Sequence, residues 1–198
     1  MQVVENKISE YPIGILWNMG SKYAREMMLK IASMEDVIQV IVYDLKDKYD
    51  DFVLDCYKGD EEAYETGYVY EKIENMKSNK NKIVAFILKI DNPTYKANIN
   101  GKLQCVEARR VKQTIRDEYA SKIDRYFFDI LIHMSDNLEE MQRTLQILNK
   151  YKDYGIANYI RKGYQPIIEM KEKQKDTMRE KMTYIELLKR LKDKEFVR

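Results

Sequence analysis

The chain holds one histidine, His133, at the end of an apolar and aromatic run over 126–133 and just ahead of Ser135-Asp136-Asn137. A neutral imidazole near pH 7 can act as a base or a nucleophile. Read as a strand, the run alternates, so Phe127, Asp129, Leu131 and His133 share one side. Asp129 is then the residue to orient the imidazole, by accepting a hydrogen bond from one ring nitrogen. The following Ser-Asp-Asn leads into a helix whose first N–H groups favour an anion. Upstream, Arg109, Lys112 and Arg116 stand at i, i+3 and i+7, with Arg110 and Gln113 at the edge of the same helical strip. Arginine forks and a lysine point charge on one strip suit a polyphosphate. The same residues also suit a solvated face paired with Glu107, Asp117 and Glu118.

These residues need a scaffold. The β-branched stretches 13–17, 37–45 and 81–93 read as strands, and so does the run ending at His133. Helical spacing runs through Tyr23, Met27, Met28 and Ile31, through Tyr49, Phe52, Val53 and Cys56, and through 67–79 and 106–123. Asn137 is placed to cap a further helix that carries Leu138, Met141, Leu145 and Leu148 on one face. Asn100-Gly101 lies between short β-like runs, a hairpin signal. The order contains a split βαβ pair. It predicts an α+β fold: a ferredoxin-like, four-stranded antiparallel sheet with helices on one face. That domain is expected to occupy 1–152. Residues 153–166 read as a short helix and a break. The stretch from Ile167, rich in Lys, Glu, Arg and Met, reads as a long amphipathic helix, so 153–198 form a helical extension suited to packing on the domain or on a second copy.

Composition narrows the function. Apolar residues make up 44% of the chain, enough for a core, while 35 basic and 33 acidic side chains nearly cancel. That balance argues against a general nucleic-acid coat and leaves room for a local basic site. No apolar window approaches the roughly 18 residues of a membrane span. Cys56 and Cys105 lack metal-ligand spacing and read as buried thiols of a cytoplasmic protein.

Thr114-Ile115-Arg116-Asp117 and Ile132-His133-Met134-Ser135-Asp136 together resemble the signature region of the nucleoside diphosphate kinases. In that family a Thr-Ile-Arg segment precedes an Ile-His-Gly-Ser-Asp motif and a helix follows. The resemblance implies a divergent nucleotide-binding phosphotransferase or phosphohydrolase, magnesium arriving with the nucleotide, and a homo-oligomer. His133 would accept the phosphoryl group, Arg116 would hold phosphate, and Thr114 would be a second phosphate or sugar contact. Arg109, Lys112 and Asp136 complete the expected binding set. The chain departs from the family after the first strand, where Trp17 and Asn18 replace a lysine, and at Thr144, where the family has glutamate. The alternative is a catalytically inactive nucleotide-binding or oligomeric module that signals through its C-terminal helix.

Overall fold

The apolar runs at 36–44 and 82–91 do not alternate with polar residues, so each must be covered on both sides. A computed structural model describes residues 8–58, 65–76, 81–99, 101–123, 126, 130–170 and 196–197. In it the two runs are β3 (Asp36–Asp44) and β4 (Lys82–Asp91), paired antiparallel, with their interior positions almost all buried. The other free edge of β4 takes β1 (Ser9–Glu10) and β2 (Ile13–Leu16), and Pro12 separates these two. A three-residue strand, β7 (Ile132–Met134), pairs with β2 at the margin. On the far side β3 pairs with β8 (Gly155–Arg161), and β8 with β9 (Phe196–Val197). The order is β7-β2-β4-β3-β8-β9, and every pairing is antiparallel.

Helices cover both faces. α1 (Ala24–Met34) and α4 (Val106–Tyr119) bury Met27, Met28, Ile31, Val111 and Ile115 against Val40, Val42, Phe86 and Ile132. α2 (Tyr49–Tyr57), α3 (Tyr68–Met76) and α5 (Leu138–Lys150) bury Phe52, Val53, Ile73, Met76 and Leu148 against Ile15, Ile41, Ala85 and Ile87. A bulge at Ile38 resets the alternation of β3: Val37 pairs with Leu88 and Gln39 with Ile87. The hairpin is present as β5 (Tyr95–Ala97) and β6 (Leu103–Cys105), with Gly101 at φ 76°.

Four expectations change. The sheet has seven strands among the described residues rather than four, and helices pack on both faces rather than one. The cause is that β3 and β4 carry apolar side chains on both sides. Residues 155–161 are strand β8 rather than helix, so the sheet continues past the expected boundary at 152. In β8, Ala157 and Tyr159 fall on one face and supply what the edge of β3 needs. The chain at 167–170 is not helical, because the buried Gln39 side chain captures it. Gln39 Oε1 accepts from the Ile167 and Ile168 amides (2.9 and 3.2 Å), and its Nε2 donates to the Ile168 carbonyl (2.7 Å). Most of the expected long C-terminal helix, 171–195, lies outside the described residues. No helix among the described residues is long and apolar enough to cross a membrane.

Gly14 in β2 faces the Phe86 ring so closely that a Cβ would lie 2.0 Å from Cζ. Gly14→Ala should therefore destabilise the protein by about 1–3 kcal/mol in urea titrations, through overpacking. Adding Phe86→Leu should recover part of that loss. A neutral Gly14→Ala would refute the close packing.

Candidate functional site

In β7, Ile132 and Met134 turn toward α1 and α4, so His133 turns to the opposite face. There its half-buried ring meets Tyr57, the last residue of α2, edge-on, with centroids 6.1 Å apart and planes at 70°. Tyr57 stacks in turn on Trp17 at 6.3 Å. Lys72 of α3 lies over the Tyr57 ring, 4.3 Å from its centroid, and donates to the Tyr57 hydroxyl at 3.0 Å. Tyr57 and Lys72 are missing from the sequence-derived site. No local spacing links residues 57, 72 and 133; only the stacking of α2 and α3 on this face joins them.

The cations of α4 reach round the open margin of β7. Lys112 forms a 2.5 Å ion pair with Asp136, both side chains largely covered. Asp136 also accepts from Gln104 Nε2 at 3.2 Å, and Arg109 donates to Gln104 Oε1 at 2.9 Å. Arg109, Gln104, Asp136 and Lys112 thus form one network. Arg116 donates to the Ile132 carbonyl at 3.3 Å. The amides of Trp17 and Ser135 bond to Leu131 and Ile13 on the β2 side, which leaves that carbonyl facing outward. Thr114 is two residues from both Lys112 and Arg116, about 160° round the helix, so it does not join their strip. Asp136 serves as the partner of Lys112 rather than as a direct phosphate contact, since its carboxylate would repel an anion. Asp129 lies outside the described residues.

The start of α5 is already supplied with acceptors. Asn137 caps it by accepting from the Glu140 amide at 2.9 Å, and the Glu140 carboxylate accepts from the Asp136 amide at 3.0 Å. The expected anion site at this helix end is therefore filled by the chain's own Glu140. Burial pushes that carboxylate upward, but the Asp136 amide, His133 and Lys102 outweigh it and hold the group below its usual range.

Burial dominates at His133 and pushes the imidazole down to about 3. The charges of Lys112, Lys72 and Arg116 act in the same direction, and Glu140 opposes them. At pH 7 the ring is neutral and has a nitrogen lone pair. An anion arriving among these cations would find a neutral nucleophile rather than an imidazolium.

Just after β2, Asn18 ties α2 and α3 together. Its Nδ2 donates to the Met76 carbonyl at 2.5 Å, and its Oδ1 accepts from the Tyr49 hydroxyl at 2.8 Å. Thr144 is buried within α5. A cavity of about 490 Å³, lined among others by Tyr11, Ile13, Ile38, Met141, Leu145 and Tyr164, lies elsewhere on this face and includes neither His133 nor a charged side chain. Among known proteins, the chain matches no family model and no curated relative.

The depressed imidazole gives a pH signature. Because the folded value (about 3) lies below the ordinary 6.5, the unfolded chain binds the extra proton between those limits. The stability tied to a neutral His133 is complete above pH 6.5 and is lost as pH falls toward 3. Wild type should therefore lose stability relative to His133→Asn as urea midpoints are measured from pH 7 down to pH 4. A difference that stays constant over that range would contradict the desolvated, neutral ring.

Proposed function

We propose that this chain is a divergent phosphotransferase of nucleoside diphosphate kinase type, in which His133 accepts a phosphoryl group at the open margin of β7. The observation that carries the reading is the His133 ring on a marginal strand, edge-on to Tyr57, whose hydroxyl takes Lys72, with Lys112 and Arg116 of α4 held at the same strand and the turn after it. The topology supports it. Counting β2, β3, β4 and β7 as first to fourth, their spatial order is fourth, first, third, second. α1 links the first two and α4 follows the third, as in the split βαβ, ferredoxin-like arrangement. β8 and β9 then extend the sheet beyond β3.

The chemistry uses this chain's own groups. A ring nitrogen lone pair of His133 attacks the terminal phosphorus of a nucleotide. The bond from that phosphorus to the bridging oxygen breaks, and the leaving diphosphate takes the electron pair. Attack on the phosphohistidine by a second diphosphate, or by water, regenerates the imidazole. Lys72, Lys112 and Arg116 offset charge on the phosphoryl oxygens. Lys72 supplies from α3 the cation that the family carries after its first strand. Among the described residues no three carboxylate, histidine or cysteine side chains gather to hold a metal. Magnesium belongs to the proposal only as the counter-ion a nucleotide brings, and no step depends on a protein-held ion.

The engagement of Lys112 with Asp136 and of Arg116 with the Ile132 carbonyl favours a second reading, a binding module that has lost transfer. One experiment separates the two. Full-length protein is incubated with γ-labelled ATP and magnesium, and label on the protein is followed with and without acid. The transferase reading expects acid-labile label on wild type and none on His133→Asn. No label with ATP binding retained selects the binding module, and neither label nor binding removes both.

A further inference from the structure

The cations that the sequence offers as a clamp are largely engaged by the protein itself. Lys112 holds Asp136, Arg109 holds Gln104 and Arg116 holds a backbone carbonyl. A second set of cations lies on the same face of the sheet as His133. Lys58 follows the end of α2, while Arg143 and Lys150 lie along α5. With Asp55, Gln146 and Ile147 they line a groove of about 320 Å³ between the two helices. The carboxylate in that lining is already satisfied: Asp55 pairs with Lys150 at 2.5 Å and accepts from the Tyr151 hydroxyl at 2.8 Å. The Lys58 amide donates to the Asp55 carbonyl, but neither the Lys58 nor the Arg143 side chain makes an ion pair or hydrogen bond among the described residues. Arg143 is half-buried, near enough to the buried Cys56 thiol to oppose the rise that burial causes there.

The groove adjoins residues that touch or act on the histidine. Lys58 is the residue after Tyr57, whose ring meets His133, and Arg143 stands one helical turn beyond Glu140, which acts on His133. Three cations around a single carboxylate, which Lys150 already pairs, leave net positive charge in the groove and form an anion subsite by charge complementarity. Resting on the phosphotransferase reading above, we propose that the α2–α5 groove binds the distal phosphates of a polyphosphate-bearing ligand whose reacting phosphate meets His133. The ligand then carries at least two linked phosphates, and its tail is read by Lys58 and Arg143 rather than by the α4 strip.

The test uses full-length protein and two probes, orthophosphate and inorganic tripolyphosphate, in titration calorimetry. Wild type should bind tripolyphosphate at least about tenfold more tightly than orthophosphate, the order expected for one added charge-assisted contact. Lys58→Gln with Arg143→Gln should erase that advantage while orthophosphate binding and the melting temperature stay unchanged. Arg110→Gln, which removes a charge paired with Glu35 on the other face, should leave the advantage intact. Equal binding of the two probes by wild type, or an undiminished advantage in the double variant, overturns the groove and leaves the phosphate site standing. Loss of orthophosphate binding in the double variant, or an equal loss in Arg110→Gln, also overturns it. If wild type binds neither anion, this inference and the phosphotransferase reading fall together.

Discussion

β4 is hydrogen-bonded along both edges and covered on both faces, and the other elements are arranged around that condition. A strand so placed leaves no backbone group to water, and every side chain must find an apolar or hydrogen-bonded partner. Helices must lie above and below, so the chain places α1 and α4 on one side and α2, α3 and α5 on the other. Gly14 permits β2 to approach because the Phe86 ring occupies the space a larger residue would need. The bulge at Ile38 turns Gln39 inward, where its amide replaces the missing strand partners of residues 167–168.

β7 is the opposite case. With three residues and, among the described residues, a single partner strand, it presents an unpaired edge, and an open edge invites pairing with another chain. Arg116 covers one outward carbonyl, and Lys112 with Asp136 closes the corner where β7 turns into α5. Basic side chains at such a margin protect it and create a positive field beside His133. The same charges thus have a structural role whether or not a ligand comes. Removing one member of the covered Lys112–Asp136 pair would strand the other, a typical cost of about 3–5 kcal/mol when a pair is fully buried and less here, where Lys112 keeps contact with water.

The surroundings of His133 follow from this arrangement. The motif around His133 keeps its strand-then-helix context, with Asn137 capping as its residue type suggests. Asn18, just after β2, bridges α2 and α3. Lys72, in α3, reaches the histidine's surroundings through Tyr57. A pattern search along the chain cannot find that contact, because the two residues lie in different elements.

Much of the fold was legible along the chain, because strand and helix periods depend on near neighbours. The runs at 13–16, 36–44 and 82–91, the helices bearing Met27, Phe52, Ile73, Ile115 and Leu148, the Asn137 cap and the turn at Gly101 are all local consequences of residue type. His133 and the Arg109–Lys112–Arg116 strip were visible for the same reason. Strand order, the second helical layer, the recruitment of 155–161 into the sheet and the meeting of Tyr57 and Lys72 with His133 were decided only in three dimensions. Burial on both faces and long-range charge compensation depend on which elements become neighbours, and spacing within one segment carries no record of that.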